Sequence, residues 1–170
     1  MLVQVAVDRL GLDSTTNSYV VILREVGGHR LLPIWIGQPE AESIAMEMNQ
    51  VKRERPLTHD LCKTLITALG GVLRRVTITR VQKTTYFAEM QVEGSAGLVD
   101  VDARPSDSIA IALRFEAPIF APDELLTTVE VEGEEEGESS VEPSADELTP
   151  EQLKAYLEHL RPEDFGKFSP

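Results

Sequence analysis

Residues 105–115 read PSDSIAIALRF, and the body of that stretch, Ile109 to Leu113, offers no polar side to water. Pro105 suits a first helical position, because its missing N–H would be unpaired there anyway. A helix that is hydrophobic all round has to be buried, so other elements must cover it on at least two sides. The chain is thereby constrained to a layered domain with this helix between layers. Its entrance is the opposite in character: Asp102, Arg104, Ser106 and Asp107 crowd the first turn. Burying such charges costs several kcal/mol per ion unless they are paired. The expectation is therefore a helix buried through Ile109, Ala110, Ile111 and Leu113, with Arg104 and Asp107 at a mouth that reaches solvent.

The covering elements can be read from periodicity. Val3, Val5 and Val7 alternate onto one face, and Tyr19, Val21 and Leu23 onto another, as strands do. REVGGHRLLPIWIG predicts a hairpin, with Gly27 and Gly28 supplying the positive φ angles of a tight turn. After Gly37, Pro39 opens a helix whose Ala41, Ile44, Ala45 and Met48 recur at amphipathic spacing. KRERPLT ends it, and Thr58 is read as the cap of a second helix. Leu61, Cys62, Leu65, Ile66 and Leu69 are read as that helix's inward stripe, and Gly70–Gly71 stop it. Strands are predicted at 72–82, 85–93 and 98–103, an antiparallel meander with one wet face. EAPIFAPDELL supplies a short strand and a final turn.

Charge divides the chain in two. The total is −13, but from Val129 onward there are 13 acidic and 3 basic residues, so residues 1–128 carry only −3. A body so near neutrality is a poor duplex-binding surface, since nonspecific affinity comes from cations that displace counterions. Basic clusters at Lys52, Arg53, Arg55 and at Arg74, Arg75, Arg80, Lys83 are the candidates for following a single strand. The segment 129–147 is acidic and poor in apolar residues, the composition of a disordered linker. In 148–170, LTPEQLKAYLEHL opens with a capping box and carries the stripe Leu153, Tyr156, Leu157, Leu160. So short a helix is marginal alone in water. It is expected to dock on the body, on a second copy or on a protein partner. Residues 1–128 form the main domain. Cys62 is the sole cysteine, which excludes an intrachain disulfide and points to a reducing, cytoplasmic setting. No apolar run approaches the roughly 20 residues of a membrane helix, so no membrane partner is expected. The opening residues MLVQVAVDRLGLD read as a strand, with acidic residues where a signal peptide is cationic.

Chemistry-bearing residues gather at three helix starts: Glu40 and Glu42; His59 and Asp60; Arg104, Ser106 and Asp107. Phosphate-loop, nucleophile-elbow and zinc-peptidase motifs are missing from the sequence. Each acidic residue has a purely structural account, since a carboxylate in a first turn stabilises the helix dipole by about 0.3–1 kcal/mol. If the three starts converge, however, they contain what phosphodiester cleavage needs. Glu40, Glu42 and Asp107, with Asp60 and Asp102 as further candidates, are potential ligands for Mg²⁺ or Mn²⁺. His59 is a general acid or base, and Arg104 a phosphate clamp. Ser106, Arg53 and Arg55 are candidate substrate contacts.

Together, LPIWIGQPEAESIAMEM, RPLTHDLCKTLITALGG and VDARPSDSIAIALRFEAPIF resemble the bifunctional nuclease family over about residues 1–126. The blocks match in order and without large gaps at Glu40, His59, Asp60, Arg104, Ser106 and Asp107, among others. The acidic linker with its terminal helix is similar to the tail of actinobacterial members. The resemblance implies an α+β domain around a mixed or largely antiparallel sheet, and cleavage of DNA and RNA with little sequence preference. Read this way, the chain is a cytoplasmic, metal-assisted nuclease acting on single-stranded nucleic acid as a homo-oligomer, a dimer or higher. The competing reading is a noncatalytic regulatory or adaptor protein that works through its tail helix and oligomerisation.

Overall fold

The computed structural model describes residues 1–128; the acidic segment 129–147 and the helix expected within 148–170 lie outside the described residues. Eight strands form one sheet: β1 (Leu2–Asp13), β2 (Ser18–Glu25), β3 (Arg30–Ile36), β4 (Val72–Gln82), β5 (Thr85–Gly94), β6 (Gly97–Ala103), β7 (Ile119–Pro122) and β8 (Thr127–Thr128). Three helices accompany them: α1 (Gln38–Met48), α2 (Thr58–Ala68) and α3 (Pro105–Phe115). The class is α+β, as expected.

The strand order is β6-β5-β4-β7-β1-β2-β3-β8. Two antiparallel meanders, β1–β3 and β4–β6, are joined by the four-residue β7. β7 runs antiparallel to β1 and parallel to β4, which makes the sheet mixed. A parallel pair cannot be closed by a tight turn and needs a long crossover. Here β5, β6 and α3 supply it. Between β2 and β3 the hairpin forms as read, but only Gly27 takes a positive φ, of 78°.

α3 packs on β4 and β5 and is flanked by α1 and α2. Ile109, Ala110 and Ala112 are fully buried and Ile111 nearly so. Their neighbours include Ile44 of α1, Val76 and Ile78 of β4, and Ala88 of β5, all in one core. The all-apolar helix is thus covered from several directions, as its composition demanded. A larger side chain at Ala110 has no room. Ala110→Leu is expected to cost about 1–3 kcal/mol by overpacking, read as a lower urea midpoint with unchanged slope.

α2 departs from the expected packing. Cys62 and Ile66 lean on the core, but Leu61, Leu65 and Leu69 are 47%, 52% and 83% exposed. The inward side is set instead by His59, which is buried. α2 carries apolar residues on two sides, and the polar partners of His59 decide which faces in. The helix also begins one residue earlier than expected: Thr58 is its first residue rather than its cap, Leu57 is the cap, and the Leu57 N–H donates to Asp60 Oδ2 at 2.8 Å. It ends as expected, with Gly70 at φ 77° and Gly71 N–H donating to the Ile66 carbonyl. In α1, Ala41 and Ile44 face inward as read, but Met48 is 40% exposed and Ser43 is buried instead. β6 is an edge strand whose Leu98, Val99 and Val101 are all exposed, so both its faces are wet.

Candidate active site

The starts of α1, α2 and α3 meet, and their polar side chains form one continuous chain of contacts. Arg104, the residue before α3, reaches back over that helix's first turn. Its Nε donates to Asp107 Oδ2 at 2.7 Å, and its Nη2 donates to Glu40 Oε1 at 2.6 Å. Glu40 can lie there because Gly37, at the cap of α1, has no side chain; a Cβ would collide with the Glu40 carboxylate. Asp107 offers its other oxygen, Oδ1, to His59 Nε2 at 2.9 Å. His59 Nδ1 faces Ser43 Oγ at 2.7 Å. Arg114 Nη2 donates to the same Ser43 oxygen at 3.0 Å, and Arg114 Nε donates to Asp60 Oδ1 at 2.6 Å. Arg53 Nη2 closes the chain on Asp60 Oδ1 and Glu47 Oε2.

Exposure divides this chain into an open end and a sealed end. The Arg104 side chain is 65% exposed, and its Nη1 makes no hydrogen bond to any described residue. The Arg114 side chain is only 2% exposed and that of His59 10%. A cleft of about 510 Å³ opens at the exposed end, lined by Glu40, Glu42, Ser43, His59, Arg104 and Asp107 among others. A second cavity, of about 360 Å³, lies on the other side of Arg104 and includes Ser106 and Tyr86. Arg104 borders both.

Burial alone would raise the Asp107 carboxyl. The hydrogen bonds from Arg104 and His59, with their charges, outweigh it and hold Asp107 below the ordinary carboxylate range. Asp60 is governed the same way: burial raises it, and Arg114, the Leu57 N–H and Arg53 together lower it. Asp107 is therefore an ionised acceptor at neutral pH. A neutral His59 that donates from Nε2 to this carboxylate has Nδ1 left to accept the Ser43 hydroxyl proton.

The expected residues fare differently. Glu40, Glu42, His59, Arg104 and Asp107 all line the cleft. Asp60 does not; both its oxygens are taken by Arg114, Arg53 and the Leu57 N–H. Arg53 is likewise locked in ion pairs with Glu47 and Asp60, while Arg55 is exposed beyond the cleft lining. Ser106 is buried and belongs to the neighbouring cavity. Asp102 lies exposed on β6 and lines neither cavity. Ser43 and Arg114 were not singled out in the sequence. A serine on an amphipathic helix and an arginine in a last helical turn carry no signal, since the second simply complements the helix dipole.

The carboxylates do not fit the metal site expected of them. Arg104 already engages Glu40 and Asp107 in ion pairs, and Glu42 accepts from Gln38 Nε2 at 2.9 Å. Among the described residues no three His, Cys, Asp or Glu side chains converge as ligands.

A family model for the bifunctional nuclease domain matches residues 21–134, a stretch that contains every member of the polar chain from Glu40 to Arg114. The chain belongs to the bifunctional nuclease domain family. It is 39% identical over 162 residues to an uncharacterized protein of Mycobacterium tuberculosis, covering 95% of this chain and 97% of the relative. Bifunctional nuclease 2 of Arabidopsis thaliana is 32% identical over 106 residues, covering 61% of this chain and 32% of the plant protein. Bifunctional nuclease 1 of the same plant is 30% identical over 110 residues, covering 63% of this chain and 34% of the plant protein. The chain thus spans about a third of the length of these plant nucleases. Among the described residues no helix is long and apolar enough to cross a membrane.

Proposed function

We propose that this chain cleaves phosphodiester bonds of single-stranded DNA and RNA, with little sequence preference, in the cleft between the starts of α1, α2 and α3. The observation that carries the reading is the shared Asp107 carboxylate. Both its oxygens hold an arginine whose Nη1 is left for a phosphate, and Oδ1 also holds a histidine that can move a proton. The positive clamp and the acid–base group are therefore fixed to each other within one residue's reach. Membership of a nuclease-named family and the names of the plant relatives support it. Arg104 binds a nonbridging phosphate oxygen. His59 transfers the proton, and Asp107 keeps its ring in one orientation and one tautomer.

The cleft's charge bears on the cofactor. Glu40, Glu42 and Asp107 set three carboxylates against the single Arg104 guanidinium in the lining. A polyanionic substrate needs that surplus balanced. Mg²⁺ is commonly held by one or two carboxylates together with substrate phosphates. Mg²⁺ or Mn²⁺ carried in with the substrate is accordingly part of the proposal, and a resident three-ligand site is not.

Purified protein should cut single-stranded oligonucleotides faster with Mg²⁺ or Mn²⁺ than with chelator. Arg104→Ala should raise KM roughly 10–100-fold, the worth of a charge-assisted hydrogen bond. Its melting temperature should fall little, because the Arg104 side chain is 65% exposed and water can take its place at both carboxylates. Unchanged KM in that variant would remove Arg104 from substrate binding and the proposal with it.

The homo-oligomer reading, a dimer or higher, has its support in α2. Leu57, Leu61, Leu65 and Leu69 are exposed at four-residue spacing, with the uncharged Thr64 and Ala68 between them. A second copy of the same uncharged stripe is its natural occupant, because a two-fold pair brings the same patch from both subunits and requires self-complementarity. Leu61→Lys with Leu65→Lys should then halve the mass seen by light scattering. An unchanged mass would exclude α2 as the interface.

A further inference from the structure

The geometry points to Ser43 as the nucleophile of this cleft, attacking the phosphorus of a nucleic-acid phosphodiester to form a transient phosphoserine. The inference rests on the phosphodiesterase reading above and deepens it. Ser43 lies on the second turn of α1, 6% exposed and part of the cleft lining. Its polar neighbours are one obligate donor, Arg114, and one imidazole nitrogen that is an acceptor in the neutral ring donating to Asp107. Arginine only donates, so Arg114 Nη2, at 3.0 Å, uses one lone pair of the hydroxyl oxygen. The hydroxyl proton is then left to point at His59 Nδ1, 2.7 Å away. His59 Nε2 in turn donates to Asp107 Oδ1 at 2.9 Å. The order Arg114, Ser43, His59, Asp107 is a one-directional series of donors and acceptors ending in a carboxylate that Arg104 fixes from its far side. This is the wiring that activates a serine in hydrolases, with the two ring nitrogens exchanged.

Buried serines and histidines that only fill space have no need of this polarity. Arg114 adds a reason of its own, because a guanidinium against the oxygen favours the alkoxide character that develops during attack. Glu40 and Asp107 are already paired to Arg104 and Glu42 accepts from Gln38, whereas the Ser43 oxygen retains an unused lone pair. It is the one group in the lining that combines a bound base with a free electron pair.

The chemistry balances without an oxidant or reductant. As the Ser43 Oγ–P bond forms, the hydroxyl proton passes to His59 Nδ1, and Asp107 stabilises the resulting imidazolium. The P–O bond to the leaving nucleoside breaks, and that oxygen takes the proton from His59. Water then attacks the phosphoserine, giving one proton to His59, which returns it to Ser43 Oγ as the O–P bond breaks. The products are the two hydrolysed ends and the original enzyme.

Two measurements on the full chain test this. A fluorophosphonate probe should phosphonylate the wild type at the peptide containing Ser43, and labelling should vanish in Ser43→Ala. A phosphorothioate diester of known configuration, cut in oxygen-isotope-labelled water so that the product stays chiral, should be hydrolysed with retention at phosphorus, since two displacements invert twice, whereas direct attack by water inverts once. Ser43→Ala should also lose at least 100-fold in kcat with little change in KM. If the wild type cuts nucleic acid with inversion and Ser43→Ala keeps its rate, Ser43 is not the nucleophile, and the phosphodiesterase reading survives. If Ser43 is labelled but no phosphodiester is cut, the nucleophile stands and the substrate assignment falls. Neither labelling nor cleavage would overturn both. Should Ser43→Ala fold poorly, wild-type labelling and stereochemistry still decide.

Discussion

Replacing Arg114 with methionine is expected to remove about 3–5 kcal/mol of stability, the usual consequence of stripping one partner from a buried ion pair. The arginine is all but sealed from water and holds four groups at once. Its Nε meets Asp60 at 2.6 Å, its Nη1 meets the Ala110 carbonyl at 2.7 Å, and its Nη2 meets both the Ser43 carbonyl and hydroxyl oxygens. These partners lie on α1, α2 and α3, so one side chain ties together all three helices that build the cleft. Methionine has similar length and no charge, so the loss reports the interactions rather than a cavity. The effect should depend on pH. In the wild type Asp60 is held below the ordinary carboxylate range, so its contribution is complete above the unfolded value near 4 and disappears as the pH falls through the folded one. In the variant, burial of Asp60 with one cation fewer raises its carboxyl and makes protonation favourable. The gap between the two proteins should therefore narrow as the pH falls from 7 towards 3. Denaturant midpoints measured across that range check it; a gap independent of pH would show that Asp60 is not what Arg114 stabilises.

Asp107→Asn is expected to lower kcat by roughly 10²–10⁴-fold, the range of lost acid–base catalysis. The physical cause is a reversed proton. An asparagine can present its amide N–H₂ to His59 Nε2, which then has to accept, and the imidazole proton moves to Nδ1. Nδ1 would donate to Ser43 Oγ instead of taking its proton, so the base is lost while the geometry remains. Folding should change little, because asparagine keeps the shape and hydrogen-bonding capacity of Asp107 and its ion-pair partner Arg104 is 65% exposed. Steady-state rates together with a melting curve separate the two effects. Full activity in the variant would mean that the cleavage came from another protein or that Asp107 does not orient His59.

Periodicity alone was enough to locate most of the elements. The strands at 72–82, 85–94 and 97–103 and the helix from Pro105 agree with the alternation and the apolar run that announced them. The burial of Ile109, Ala110 and Ala112 follows from composition, since an apolar helix has no alternative to the interior. That polar groups would collect at the helix starts was legible too, and Glu40, His59, Arg104 and Asp107 do meet.

What pattern could not decide was everything that depends on two segments facing each other. α2 carries two apolar stripes at helical spacing, and Leu61, Leu65 and Leu69 satisfy that spacing as well as Cys62 and Ile66. The choice fell to His59, whose hydrogen bonds to Ser43 and Asp107 cross 16 and 48 residues of chain. Ser43 and Arg114 stand 71 residues apart, and their contact leaves no trace in local spacing. Asp60 and Arg53, read as site residues, were drawn instead into ion pairs behind the cleft, because a half-buried charge takes the nearest opposite charge the fold provides. Local sequence determined which segments would be helix or strand and which helix had to be inside. The tertiary structure decided which polar side chains are spent on holding the helices together and which remain open to a ligand, since that depends on partners distant in the chain.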